Sequence, residues 1–299
     1  MSFTLCELID KYNCDEECRE LLERLRFPNG LACTRCGCTE VLDLGEHKRW
    51  ECKACKYQFS VTSGTIMHDS HLPLRKWFLA IYLMCESRKG ISANQLKRTL
   101  GVQYRTAWHL CHRIRAAMGN DPLTGPTLVG VVEVDETLVG GKKKGKGRAY
   151  KGNKTWVAGA IQRDGELRVE RIPDTTKPTL HDFIQRTVKD EAEAIYTDDF
   201  KSYLGIADDN TRHETVNHST EEWVVGDVHT NGIEGAWSLF KRAIVGAFHK
   251  MSSKHLDRYL EEFEWRFNNR DNPHIFIDAL KRIMRTNALT YKELVKDVA

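Results

Sequence analysis

Residues Val129 to Gly141 read VGVVEVDETLVGG, and the stretch contains a contradiction. Five valines and a leucine give it the composition of a buried strand. Yet Glu133, Asp135 and Glu136 sit inside it. A carboxylate in a buried strand costs on the order of several kcal/mol unless a cation or a set of donors compensates. Two readings follow. The strand lies at a sheet edge with its acids in water, or the acids hold a divalent metal that also does chemistry. The surrounding sequence weighs between them.

Downstream of this strand, Lys142 to Lys154 carries seven Lys or Arg residues, no acid, and interleaved glycines. Such a loop is either a solvated flexible connection or a phosphate-facing one, with Lys142, Lys143 and Lys144 as DNA contacts. KTWVAGAIQ (154–162) and ELRVERI (166–172) read as second and third strands, antiparallel in succession. Leu180, Phe183, Ile184 and Val188 make 177–189 an amphipathic helix. AIYTD (194–198) is a short strand ending in Asp198, with Asp199 directly after it. Three strands, a helix and a strand in this order match the ribonuclease-H-like ordering. There the first and fourth strands lie adjacent and parallel, which would set Asp135 beside Asp198. In 229–249, Ile233, Trp237, Phe240, Ile244 and Ala247 mark one helical face, while Asn231, Glu234, Ser238 and Lys241 mark another. Glu234 therefore falls at the margin of the buried face. Further helices are expected at 254–269 and 275–285, with a helical tail from 290.

Upstream, the chain opens with one or two helices over 4–25, stopped by Pro28-Asn29-Gly30. Cys6, Cys14 and Cys18 fall here without a paired CxxC and read as buried small hydrophobes. Then come Cys33-Thr-Arg-Cys36, fifteen residues, and Cys52-Lys-Ala-Cys55. Two CxxC turns at this spacing can aim four thiolates at one tetrahedral zinc ion, closing its shell and making it structural. Cys38 and His47 are spare ligand types nearby, and Cys38 could replace Cys36. Two or three short strands join the turns, and Lys48, Arg49, Lys53 and Lys56 with Trp50 and Tyr57 suit a DNA-contacting ribbon. From Pro73 the pattern turns helical through Trp77, Phe78, Ile81, Tyr82 and Met84. Ser92 caps a helix whose Leu96 and Leu100 face inward, and Gly101-Val102 makes a turn. A second helix follows with Ala107, Trp108, Cys111, Ile114 and Met118 as its stripe. This is a helix-turn-helix layout, or an ordinary helical hairpin. In the first case Gln103, Tyr104, Arg105 and Thr106 meet DNA, and Arg105, His109, His112, Arg113 and Arg115 make the outward face basic.

The 299-residue chain is long enough to bury more than one core. Its net charge of +3 announces no partner by itself. No apolar run approaches the roughly 18 to 20 residues that span a bilayer, and MSFTLCELIDKYN lacks a secretory pattern. The expectation is a cytoplasmic protein, nucleoid-associated when bound to DNA, without a membrane partner. In that compartment ten cysteines argue against a disulfide framework.

Three acids delivered by two strands and a helix can together hold paired Mg²⁺ ions for in-line phosphoryl transfer. At this point the chain resembles the zinc-ribbon-containing DDE transposases of bacterial insertion sequences, the ISXO2-like group related to the Merlin elements. The motifs are CTRCG…WECKACKYQFSVTSGTIM, VEVDETLVGGKKK, YTDDFKSY, HTNGIEGAWSLFKRAIVGAFHKMS and YLEEFEWRFNNR. The resemblance implies an α+β multidomain chain: N-terminal helices (1–30), a zinc ribbon (31–66), a helix-turn-helix domain (70–120) and a ribonuclease-H-like catalytic domain with C-terminal helices (127–299). It implies a DDE triad of Asp135, Asp198 and Glu234 binding Mg²⁺ or Mn²⁺, with Lys241, and Arg242 beside it, holding DNA. Family members use either an asparagine or a glutamate as third ligand. Glu234 is preferred over Asn231 because an anion binds Mg²⁺ better and because thirty-five residues separate it from Asp198. Glu133 is either an accessory ligand or an exposed strand end. The implied activity is metal-dependent strand cleavage and strand transfer on double-stranded DNA, at terminal inverted repeats and a target, by a homodimer or larger assembly. A nuclease or resolvase that does no strand transfer, and a non-catalytic regulator, are the rivals.

Overall fold

The computed structural model describes residues 3–45, 48–119, 127–140, 154–207, 210–216, 227–249 and 251–296. His47, residues 120–126 at the boundary of the expected helix-turn-helix and catalytic domains, and Lys142, Lys143 and Lys144 of the basic loop lie outside the described residues. The chain divides into two units, Met1–Gly119 together with Asp271–Ala299, and Asn120–Arg270.

In the first unit, α1 (Leu5–Lys11) starts at Thr4, whose side chain and that of Glu7 form a capping box. Helix α2 (Asp15–Arg26) follows and buries Cys18, Leu21 and Leu22. Cys6 and Cys14, expected to be buried like Cys18, are exposed because they lie on the solvent side of their helical segments. Strands β1 (Val41–Asp43), β2 (Trp50–Cys52) and β3 (Gln58–Phe59) form an antiparallel sheet in sequence order. Arg26 reaches from α2 to donate to the carbonyls of Val61 and Ser63. Helix α3 (Leu74–Glu86) is apolar on most sides. Ser92 caps α4 (Ala93–Leu100) by accepting from the Gln95 amide. Gly101 ends it at φ +61°, a left-handed conformation natural to glycine, and the chain turns into α5 (Tyr104–Met118).

Helix α5 corrects one expectation. Gln103, Tyr104, Arg105 and Thr106 are exposed at its start, but His112, Arg113 and Arg115 are buried instead of forming an outward basic face. The helix is packed against α3, α4 and a C-terminal helix. Arg113 is accommodated by donating to the His68 carbonyl and lying over the Trp77 ring, and His112 lies against Trp108.

The second unit is built on a five-stranded sheet. Its strands are β4 (Val131–Val139), β5 (Thr155–Gln162), β6 (Leu167–Ile172), β7 (Ala194–Asp198) and β8 (Arg212–Val216), in spatial order β6-β5-β4-β7-β8. The first three pair antiparallel; β7 runs parallel to both β4 and β8. Sequence periodicity does not mark β8, a partly exposed edge strand with a single buried valine. Helix α6 (Lys177–Thr187) covers one face, where Leu180 and Phe183 meet Val132, Val134, Ala158 and Ala160. Helices α7 (Asn231–Ala243) and α8 (Leu256–Asn268) cover the other, where Ile233, Trp237, Phe240 and Phe263 meet Val157, Ile161 and Val169. Because side chains alternate along a strand, the even positions of β4 face α6 while Glu133, Asp135 and Thr137 face α7. The strand is therefore central and covered on both sides, not a sheet edge.

The last helices do not stay with this sheet. Helix α9 (Ile275–Arg285) returns to the first unit, where Phe276 meets Phe3, Phe78 and Tyr82, and α10 (Tyr291–Val295) follows it there. The division expected at 127–299 thus gives way to one in which the first unit is closed by both chain ends. The strong apolar face of α9 is complementary to α2, α3 and α5, a pairing that local periodicity does not reveal. Among the described residues no helix is long and apolar enough to cross a membrane.

Candidate active site and metal centre

The ribbon brings Cys33, Cys36, Cys52 and Cys55 together, their sulfurs all within 4.8 Å of one another. Cys33 Sγ lies 3.7 Å from Cys55 Sγ, and Cys36 Sγ lies 3.5 Å from Cys52 Sγ. These separations are far too long for disulfides. They match the roughly 3.8 Å edge of a tetrahedron whose metal–sulfur bonds are about 2.3 Å. Backbone amides of Arg35 and Cys55 point at the sulfurs of Cys33 and Cys52, and the latter interaction helps pull the Cys52 thiol down to about 6. The donor set thus fits zinc. Cys38 stands apart, its sulfur directed at the Glu40 carbonyl, so it does not replace Cys36.

In the second unit the paired residues of β4 and β7 run as far as Glu133 opposite Tyr196. Two residues further in the same register, Asp135 falls opposite Asp198 on the face covered by α7. Asp199 belongs to the other side of the chain and is exposed. Asp198 accepts the Phe200 amide at 3.1 Å, which closes the turn leaving the strand.

Burial pushes the Asp135 carboxyl up to about 7, reinforced by the charges of Glu136 and Asp198. A backbone amide and the nearby indole N–H of Trp237, which makes no well-formed hydrogen bond, only partly oppose this. Glu136 is likewise raised by burial and by Asp198, against the hydroxyl of Tyr203, which donates to its Oε2 at 2.5 Å. Asp135, Glu136 and Asp198 are thus crowded acids in a poorly hydrated place, an arrangement a divalent cation would relieve. The wholly buried Tyr203 is the member that sequence reading left out, while Glu136 was read among the strand's acids but given no place in the triad. The tyrosine lies past β7 in a segment without clear periodicity.

A depression of about 610 Å³ opens beside these acids, lined by Asp135, Glu136, Glu234, Trp237, Lys241 and Arg242 among others. Glu234 lines it and Asn231 does not, although both are exposed on the first turn of α7. Glu234 accepts from the Thr230 hydroxyl at 3.2 Å. Among the described residues no three carboxylates bring oxygens within 4.8 Å of one another, so Glu234 does not complete a ligand cluster in this conformation. Glu133, by contrast, is not an exposed strand end. It is 1% exposed and contacts the start of α7.

The floor of the depression depends on Gly159, which pairs with Asp135 across β4 and β5. A Cβ there would stand 2.5 Å from the Trp237 ring. Gly159→Ala is therefore expected to lower stability by about 1–3 kcal/mol in urea unfolding. An unchanged midpoint would mean that the indole has room to move aside.

A profile described as an ISXO2-like transposase domain matches residues 127–268, and one described as a transposase zinc-ribbon domain matches residues 13–58. A protein in transposable element ISH50 of Halobacterium salinarum is 29% identical over 298 residues, covering 93% of this chain and 98% of that one. A transposase-like protein of Haemophilus influenzae is 35% identical over 98 residues, covering 33% of this chain and 77% of that one. The chain belongs to the ISXO2-like transposases of insertion sequences that carry a transposase zinc ribbon. Among solved structures, the Mos1 strand transfer complex aligns over 70% of this chain and 75% of that one, at 12% identity and a TM-score of 0.30.

Proposed function

We propose that the chain is an active DNA transposase whose second unit is a ribonuclease-H-like core with Asp135, Asp198 and Glu234 as its metal-holding triad. The observation that carries this reading is the parallel register of β4 and β7, paired as far as Glu133 opposite Tyr196; extended by two residues it sets Asp135 opposite Asp198 on the face beneath α7. The antiparallel run β6-β5-β4 followed by parallel β7 supports the ribonuclease-H-like assignment. Divalent ions, Mg²⁺ or Mn²⁺, would supply charge stabilisation at the phosphodiester and activate the attacking hydroxyl.

The protein's own groups do the rest. Exposed Glu234, which accepts from Thr230 at the rim of the depression, would hold the metal together with Asp135 and Asp198. Lys241 and Arg242 hold the backbone phosphates along the rim, the guanidinium by paired donors. Trp237 and the packing beneath it keep bulk water from the inner side of Asp135. In the first unit, α4 and α5 act as a helix-turn-helix that presents Gln103, Tyr104 and Arg105 to base edges, while the ribbon contacts the terminal repeats alongside. Two element ends are brought together by at least a dimer, in the cytoplasm on nucleoid DNA. The basic segment with Lys142, Lys143 and Lys144 adds phosphate contacts.

Incubating the protein with Mg²⁺ and oligonucleotides that end in the element's 3′ strand tests the reading. Cleavage and joining support it; cleavage without joining points to a nuclease, and binding alone to a regulator.

A further inference from the structure

We infer that Glu133 is a positioning residue that clamps the first turn of α7 to β4 and so sets where that turn stands relative to Asp135. The inference deepens the proposed function and rests on it for the identity of the reacting site, but the clamp is defined by its own contacts. Glu133 lies two residues before Asp135 on the same face of the same strand. Its carboxylate is nearly inaccessible to solvent. Oε2 accepts the Ile233 amide at 3.0 Å, and Oε1 faces Arg163 Nε and His229 Nδ1, each at 3.2 Å.

Ile233 is the third residue of α7, and Thr230, its N-cap, gives the helix no side-chain cap. Glu133 therefore supplies from the sheet the acceptor that a cap residue normally supplies from the helix itself. The turn held in this way carries both Asn231 and Glu234, so the clamp matters whichever of them meets a metal. Arg163 extends the tie. Its backbone amide donates to Val131, its guanidinium donates to the Asp227 carbonyl at 2.6 Å, and it lies over the Tyr196 ring of β7. One buried carboxylate thus joins β4, β7 and the entry to α7, the three elements that bear Asp135, Asp198 and Glu234. With the Arg163 guanidinium, the His229 ring and a helix terminus already around it, Glu133 has no place in a metal shell, which removes the accessory-ligand expectation.

Gly232 gives an independent handle. A Cβ on it would stand 2.7 Å from Glu133 Oε2. Alanine is the better helix former at an ordinary exposed helix position, yet here it would push the carboxylate off the Ile233 amide.

The test uses the full chain and the variants Glu133→Ala, Glu133→Gln and Gly232→Ala. Two readouts are independent of activity: amide hydrogen exchange in the 231–235 segment without metal, and calorimetric titration with Mn²⁺ alone. Glu133→Ala and Gly232→Ala are expected to speed exchange in that segment at least tenfold and to weaken Mn²⁺ binding roughly tenfold, the lower end of the loss when an outer support of a metal ligand is removed. Glu133→Gln, which keeps an oxygen for the amide, should recover most of both. If Glu133→Ala fails to fold, Gly232→Ala decides. Exchange and Mn²⁺ affinity matching the parent, with only the unfolding midpoint lowered, would reduce Glu133 to a structural ion pair and overturn the inference. A parent protein that binds Mn²⁺ yet never cleaves DNA would count against the proposed function and leave the clamp to be decided by the same two readouts.

Discussion

Asp135→Asn should abolish DNA cleavage and, in the same molecule without divalent ions, raise the unfolding midpoint at pH 7.5. The loss of activity is expected to be on the order of 10³-fold or more, the scale of removing one major electrostatic element from a reacting site. The gain in stability follows from the crowding of Asp135 by burial, Glu136 and Asp198. Its carboxyl ionises at about 7 in the folded chain against an ordinary 3.8. A raised acid holds its proton in the folded state over a range where the unfolded chain has lost it. Stability therefore falls as pH rises from about 4 to about 7, and the full penalty persists above that window. Three units correspond to about 4 kcal/mol at 1.4 kcal/mol per unit, an upper figure because Glu136 readjusts. The asparagine variant should thus match the parent near pH 4 and exceed it by a few kcal/mol at pH 7.5. Adding Mg²⁺ should stabilise the parent and narrow the gap. Urea titrations at the two pH values check this. A variant less stable than the parent at pH 7.5 would make Asp135 a structural residue.

This opposition between activity and stability explains why the site could be glimpsed in the sequence at all. Asp135 was visible because an acid interrupts a run of valines, and Asp198 because it ends a short apolar strand. Their adjacency was legible from the order of elements, since a helix between strands favours a parallel return. Glu133 showed the same signature as Asp135 and was open to the same reading. What separates them is three-dimensional: Arg163, His229 and the start of α7 converge on one and leave the other without a cation. No local pattern encodes that difference. The first unit shows the same limit. Arg113 and Arg115 look like surface residues from their chemistry alone, and α9, supplied by a segment more than 150 residues later, helps bury α5. Capping boxes, CxxC spacings and helical stripes were readable because their partners lie within a few residues. Long-range closure was not.

The metal centre of the ribbon supports the other large prediction. Its sheet has strands of only three, three and two residues, too little ladder to hold a fold by itself. Trp50, Phe59 and Phe27 provide a small aromatic core, and Arg26 ties the segment after β3 to α2. Against this, a structural zinc ion bound by four cysteines contributes roughly 10–16 kcal/mol of apparent binding free energy. Cys52 is wholly buried, and its sulfur packs against that of Cys36. Cys52→Ser should therefore abolish stoichiometric zinc, expose Trp50 to water and remove exchange protection from 33–59. Helices α3 and α5, with their own buried cores and α9 against them, should keep theirs. Terminal-repeat binding should weaken, while Mn²⁺ affinity of the second unit stays unchanged. Cys38→Ser is the matched control, because Cys38 lies outside the four-sulfur cluster, and it should keep its zinc. Zinc analysis by atomic absorption beside hydrogen exchange decides the matter. If both variants lose the ion, Cys38 belongs to the centre and the four-sulfur geometry is not the metal-bound one; if Cys52→Ser keeps it, the ligand set is wrong altogether.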